Sequence, residues 1–157
     1  MPQSFKEKRG GVGTGIIGGN SVQFSVADAV NIKTTGLLGL VAAAGERIRG
    51  FSIDQRTMSA TNSTVALICP QYLDAVNCVM IYGADGTIAL EDIGEYKDFG
   101  TVTTGAFQVA NAGSGESTTG TTTAQLVCLD RDPDKDGTNT TGVYKAAQPD
   151  EVATGAV

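Results

Sequence analysis

Residues 76–90 of the chain read VNCVMIYGADGTIAL, and this stretch decides the fold class. Its first part, Val76 to Tyr82, is an apolar run of strand length. An Asp85-Gly86 dipeptide follows, which is a strong signal for a tight hairpin turn. Ile88 to Leu90 would return the chain as the second strand. The stretch therefore predicts a β-hairpin.

Other short strands are predicted on both sides of this hairpin. Val22, Phe24 and Val26 alternate with polar residues, which is typical of a half-buried strand. Evidence for helix is thin, because only residues 71–75, after Pro70, are compatible with a single helical turn. Further strands are predicted in segments 37–44, 47–53, 64–69, 99–109 and 124–129, the last convincing strand of the chain.

The spacing of these strands predicts an all-β protein. We expect a small antiparallel β-barrel or sandwich with an extended N-terminal arm and an irregular C-terminal tail. The arm covers residues 1–20 and the β-domain covers residues 21–130. A Gly-, Ser- and Thr-rich loop lies within the domain at 111–123, and an acidic tail covers 131–157.

Composition limits the possible functions. The chain has no His and no Trp, and its net charge of −6 disfavours contact with a nucleic-acid backbone. No apolar run is long enough to span a membrane, and the polar N-terminus does not resemble a signal peptide. General base catalysis would fall to groups such as Asp92, Glu95 or Glu46, and nothing in the sequence places them together. We therefore expect a binding or structural protein with no catalytic residues, no cofactor and no small-molecule substrate.

The N-terminal arm is the candidate partner-binding segment. A short basic run is followed by a Gly-rich run, and glycine loses the most backbone entropy on ordering. We therefore predict that neighbouring chains, rather than the arm's own domain, hold it in place. The motif GxGxxG at residues 13–18 lacks the strand and helix that a dinucleotide site requires. The predicted partner-binding residues are Phe5, Lys6, Lys8, Arg9, Gly13, Ile16 and Ile17.

An acidic loop and the cysteines allow two further interpretations. Asp132, Asp134 and Asp136 are spaced like the first half of a calcium-binding loop, but Val143 stands where the final acidic ligand belongs. A solvated acidic turn is the preferred interpretation, so no metal site is predicted. The three cysteines, Cys69, Cys78 and Cys128, lie in apolar runs and are predicted to be buried free thiols in a reducing compartment.

The chain resembles the head decoration (cement) proteins of bacteriophages over roughly residues 25–130. The resemblance is carried by residues 36–51, where small residues lead into Ile48-Arg49-Gly50-Phe51, and by the strands that follow and close on Leu126 to Leu129. It implies a β-barrel or sandwich that forms a homotrimer at local three-fold sites of a capsid. The partner would be the major capsid protein, and the N-terminal arm would pair with capsid strands.

This resemblance leads to the functional hypothesis. We expect a virion structural protein on the capsid surface, assembled in the host cytoplasm, with neither nucleic acid nor membrane as its partner. Another virion component, such as a tail or collar protein, is an alternative in the same class. A calcium-dependent binding or adhesion module built on Asp132 to Asp136 is an alternative from another class.

Overall fold

The structure of the protein, a computed structural model, describes residues 3–8, 11–14, 23–34, 36–42, 45–57, 71–111, 124–131 and 137–147. These residues form fourteen short strands and two single 3-10 turns, at Ala75–Asn77 and Leu90–Asp92. The strands, in chain order, are β1 (Ser4–Lys8), β2 (Val12–Thr14), β3 (Gln23–Phe24), β4 (Ala29–Ile32), β5 (Leu38–Leu40), β6 (Gly50–Ser52), β7 (Arg56–Thr57), β8 (Gln71–Asp74), β9 (Cys78–Ala84), β10 (Tyr96–Lys97), β11 (Phe99–Thr103), β12 (Ala106–Val109), β13 (Leu126–Arg131) and β14 (Thr141–Ala146).

The larger of two main sheets curls into a nearly closed barrel. Its strand order is β10-β13-β14-β9-β12-β11, and β1 pairs with β9. The first and last strands of this order, β10 and β11, are separated in the chain only by Asp98. One bent segment therefore supplies both ends of the sheet, which brings the sheet close to closure on itself.

A second sheet of five strands is antiparallel throughout, in the order β2-β8-β6-β4-β5. It is joined to the barrel by the chain itself, because β8 leads into β9 through the 3-10 turn at Ala75–Asn77. The short strands β3 and β7 form a separate antiparallel pair. The all-β prediction is confirmed.

The main core is built around the ring of Tyr82 in β9. The centroid of this ring lies 5.1 Å from that of Phe99 in an edge-to-face contact, 6.3 Å from that of Phe51 and 6.4 Å from that of Tyr144. Phe107 meets Phe99 edge to face at 5.0 Å. Since Phe51 belongs to β6 of the second sheet, this aromatic cluster packs the two sheets against each other.

Tyr82 also makes a polar contact between the sheets. Its hydroxyl donates a hydrogen bond of 2.6 Å to the carbonyl of Ala27, just before β4. Ala27 has a φ of 74°, a left-handed conformation that alanine rarely adopts. Its N–H donates to the carbonyl of Ser52 at 2.7 Å, so hydrogen bonds hold both sides of this residue. Tyr82 therefore fixes the entry into β4 as well as the core.

Three sequence-based predictions are wrong. Residues 88–90 do not return as a hairpin strand, and Leu90 instead begins a 3-10 turn. The last convincing strand is not in 124–129, because Thr141–Ala146 in the predicted irregular tail form β14, a strand inside the barrel sheet. Residues 71–74 form β8 rather than a helical turn.

The failure of the hairpin prediction has a physical cause in the pairing of β9. One edge of β9 is occupied by β14, and the other is shared end to end by β1 and β12. Ile88 therefore has no free edge of β9 to pair with, and its N–H donates to the carbonyl of Asn139 instead. The local preference of Asp85-Gly86 for a hairpin turn is therefore outweighed by the pairing of β9 with β1, β12 and β14.

The two buried tyrosine hydroxyls predict a sharp contrast in stability. Tyr82→Phe leaves the buried carbonyl of Ala27 without its donor, which should reduce the free energy of unfolding by about 1–3 kcal/mol. Tyr144→Phe should change it little, because the Tyr144 hydroxyl is buried without a hydrogen-bond partner among the described residues. Urea unfolding followed by circular dichroism measures both variants. Equal losses in the two would contradict the role given to Tyr82.

Candidate functional site: the N-terminal strap

Residues 3–8 and 11–14 form the surface feature that we call the N-terminal strap. The strap runs antiparallel to residues 71–81 and crosses both sheets. In β1, Ser4 lies opposite Ile81 and Lys8 opposite Cys78. In β2, Val12 lies opposite Leu73 and Thr14 opposite Gln71. The strap therefore covers the point where β8 passes into β9.

This pairing corrects the prediction for the N-terminal arm. The described part of the arm is held by strands of its own chain, so the prediction that it gains order from neighbouring chains is wrong for these residues. The physical reason is that β8 and β9 each present a strand edge, one on either side of the 3-10 turn, and ladder hydrogen bonds along these edges offset the entropy lost by the strap. Predicted residues Arg9, Ile16 and Ile17 lie outside the described residues.

Phe5 anchors the strap on the barrel. Its half-buried ring packs against the main core, and the ammonium group of Lys8 lies 5.4 Å from the ring centroid. The register shifts between Phe5 and Glu7, which makes Lys6 the extra residue of a β-bulge. Lys6 and Lys8 are both exposed, so the outer face of β1 carries two positive charges.

Gly13 lets the second half of the strap approach a tyrosine ring. A Cβ atom at Gly13 would overlap the ring of Tyr72, which lies opposite it in β8. The same ring crosses Gly50 in β6, and its hydroxyl accepts a hydrogen bond of 2.8 Å from Nε of Arg49. Close packing under Tyr72 therefore requires Gly13, and no local sequence pattern predicts this contact.

A polar clasp built on Gln3 and Asp28 fastens the start of the strap. The Gln3 side chain donates to the Asp28 carboxylate and accepts a hydrogen bond of 2.8 Å from the N–H of Phe107. The same carboxylate accepts from the N–H groups of Ser25 at 2.8 Å and Gly105 at 2.9 Å. The clasp thus ties the strap to the loop before β4 and to the turn between β11 and β12.

Burial controls the ionisation of Asp28. Desolvation raises the pKa of its carboxyl, and the hydrogen bonds from Ser25, Gly105 and Gln3 oppose this by a smaller amount. The folded protein therefore holds the Asp28 proton more tightly than the unfolded chain does. The resulting contribution to stability is present below the ordinary pKa of 3.8 and is lost as the pH rises through the raised value.

The buried side chain of Lys97 contacts two acidic residues that the sequence analysis did not predict to lie together. Nζ of Lys97 lies 3.0 Å from Asp92 and 3.5 Å from Glu95, and the lysine is fully buried. Burial alone would raise the pKa of Asp92, but hydrogen bonds from Ala89 and Lys97, with the lysine charge, lower it. Two acids on one buried cation make a structural ion-pair network, and the sequence missed it because lysine is rarely buried.

The cysteines and the acidic loop complete the sequence-predicted candidates. Cys78 and Cys128 are buried free thiols, as predicted, and burial raises the pKa of each to about 11. Cys69 and the acidic residues Asp132, Asp134 and Asp136 lie outside the described residues. Within the described part of the chain, no group of three metal-ligating side chains comes together.

Comparison of the chain with models of protein families, with curated proteins and with solved structures found no match. Among the described residues, none of the helical segments has the length and apolar character needed to cross a membrane.

The first prediction from the strap concerns truncation. Removal of residues 1–14 should strongly destabilise the domain, because it bares the edges of β8 and β9 and removes ladder hydrogen bonds that each contribute about 0.5–1.5 kcal/mol. Thermal unfolding of the truncated and full-length proteins measures the loss. A synthetic peptide of residues 1–14 added in excess should restore part of the stability. A truncated protein as stable as the full chain would show that the strap is dispensable.

The second prediction concerns the pH dependence of the clasp. Relative to the unaltered protein, Asp28→Asn should gain stability as the pH rises from about 4, because the Asn side chain carries no charge to desolvate. Asp92→Asn is the control of opposite sign, since the pKa of Asp92 is lowered: the contribution of its carboxylate is complete above the ordinary pKa of 3.8 and is lost as the pH falls below that value. Urea unfolding on both sides of this pH, from strongly acidic to neutral solution, measures both differences. A difference for Asp28→Asn that is flat or falls with pH would overturn the assignment.

Proposed function

We propose that this protein is a head decoration protein of a bacteriophage, a homotrimer that binds the major capsid protein at local three-fold sites of the shell. The resemblance of residues 36–51 and of the strand pattern to that family supports the proposal. The all-β barrel with two packed sheets is the kind of body that the resemblance implies. A protein that binds the assembled shell but not its dissociated subunits stabilises the shell by mass action.

The observation that carries the proposal is the outer edge of β2. The carbonyl of Gln71 in β8 accepts a hydrogen bond from the N–H of Ile53, next to β6, whereas the N–H of Asp74 donates to the carbonyl of Gly11 in the strap. Gly11 therefore faces β8. Alternation along the strand then points the N–H groups of Val12 and Thr14 away from β8. No strand of the described part of the chain pairs with that edge.

An unpaired strand edge is a template for strand addition. An extended segment of a neighbouring subunit can pair with it through main-chain hydrogen bonds, with side chains supplying specificity. Val12 is 54% exposed and offers apolar contact beside this edge. Lys6 and Lys8 give the strap local positive charge on an acidic protein, which favours an acidic partner segment.

The mode of binding differs from the one expected for a free arm. Because the described strap is already paired with β8 and β9, docking does not require residues 4–8 and 12–14 to become ordered. The partner strand alone loses conformational entropy, so a preformed edge should bind more tightly than a flexible one of the same length.

The experiment is co-sedimentation with capsids built from the major capsid protein of the same genome. Thr14→Pro removes an outward N–H without breaking a ladder bond to β8, and proline is tolerated on an edge strand in that position. Thr14→Val is the matched control, since it alters the side chain and keeps the N–H. We expect the unaltered protein and Thr14→Val to sediment with expanded capsids, at three copies for each local three-fold site of the shell. We expect Thr14→Pro to be absent from the pellet.

Each outcome of this experiment has a separate meaning. Binding by Thr14→Pro equal to that of Thr14→Val would reject edge addition at β2. Failure of the unaltered protein to bind any capsid form would reject the decoration function itself. Circular dichroism of the free variants verifies that both retain the fold.

A further inference from the structure

A polar groove on the outer wall of the barrel carries an inference that does not depend on the strap. The groove has a volume of about 420 Å³ and lies across β11, β12, β9 and the start of β14. Strand pairing aligns four of its residues in one row: Thr101 opposite Gln108, Gln108 opposite Gly83, and Gly83 opposite Thr141. The inter-strand spacing makes this row about 14 Å long.

The row faces away from the core. Tyr82 and Phe107, the neighbours of Gly83 and Gln108 in their strands, are buried in the barrel interior. Since side chains alternate along a strand, Gly83 and Gln108 lie on the outside. Gly83 forms the floor of the groove, because a Cβ atom at this position would meet no other atom within 4 Å.

The described part of the lining is mainly polar and carries no charged side chain. Thr101, Thr140, Thr141 and Gln108 supply hydroxyl and carboxamide groups, each of which can both donate and accept hydrogen bonds. In the described part of the chain, the hydroxyls of Thr101 and Thr141 make no hydrogen bond, while that of Thr140 contacts Thr138 at 3.1 Å. The Gln108 amide makes only a long contact of 3.4 Å with the Ala84 carbonyl. Thr141 is buried, so the hydrogen-bonding capacity open to a ligand lies mainly at Thr101, Gln108 and Thr140.

These features select the class of ligand. An anion would be desolvated in a groove whose described lining residues include no cation, on a protein of net charge −6. A metal cation would find no carboxylate among the lining residues that the structure describes. An apolar molecule would leave the hydroxyl and amide groups unpaired. A neutral ligand with many hydroxyls matches a row of groups that donate and accept.

We propose that this groove binds a neutral oligosaccharide along the row Thr101–Gln108–Gly83–Thr141. The groove is separate from the edge of β2, because β2 belongs to the second sheet and the groove uses the end of β9 at Gly83 and Ala84. The start of the strap adjoins the groove, since Gln3 accepts a hydrogen bond from the N–H of Phe107, a lining residue. Docking at the edge of β2, in the second sheet, and binding of a saccharide on the wall of the barrel therefore use different parts of the protein.

Filling the floor of the groove gives a direct test. Gly83 does not have a positive φ and has open space above it, so Gly83→Val should fold while its side chain occupies the groove. Gly11→Val is the matched control, because Gly11 likewise has open space and no positive φ but lies in the strap. Gln108→Leu keeps the size of the side chain and removes its hydrogen bonds.

The probe is an array of neutral and acidic oligosaccharides, with positive signals repeated by isothermal titration calorimetry. We expect binding to neutral members, at least tenfold weaker binding by Gly83→Val and Gln108→Leu, and unchanged binding by Gly11→Val. The proposal is overturned if no neutral oligosaccharide binds, if acidic members bind in preference, or if Gly83→Val binds as well as Gly11→Val. Since the readout needs no capsid, it is independent of the decoration function.

Discussion

The pairing of both edges of β9 is the constraint on which the rest of the structure depends. One edge holds β14, and the other holds β1 and then β12. This single strand therefore brings together segments from the beginning, the middle and the end of the chain. It also places Tyr82 where its ring meets Phe99, Phe107 and Tyr144 and where its hydroxyl reaches Ala27. A chain with so many distant pairings has a high contact order, which favours slow folding.

Buried polar groups supply the specificity that aromatic packing lacks. The clasp of Gln3 and Asp28 ties the strap to two loops that are far away in sequence, and Lys97 binds Asp92 inside the barrel. Each group is costly to bury and acceptable only when its partners are in place. These contacts therefore favour one arrangement of strands over others that would bury the same apolar side chains.

The integration of the strap changes how a partner would be recognised. A free Gly-rich arm loses entropy on docking, whereas a strap already paired with β8 and β9 presents a formed edge. The protein then carries two separate surfaces, the strand edge at Val12 and Thr14 in the second sheet and the polar groove above Gly83 on the barrel. The first suits an extended protein segment because it exposes main-chain groups. The second suits a neutral hydroxylated ligand because the side chains of its described residues are uncharged.

The sequence by itself determined the all-β class, the apolar strand at β9 and the burial of Cys78 and Cys128, because alternation and apolar runs reflect local geometry and desolvation. It also singled out Phe5, Lys6, Lys8 and Gly13, although not their actual contacts. Only the tertiary structure decided that residues 88–90 form no hairpin, that β14 lies inside the barrel, that Gly13 packs on Tyr72 and that Lys97 is buried. Each of these features depends on residues far apart in the chain. Any segment that reaches the edge of a strand can pair with it, so the local sequence pattern does not reveal which segment pairs there.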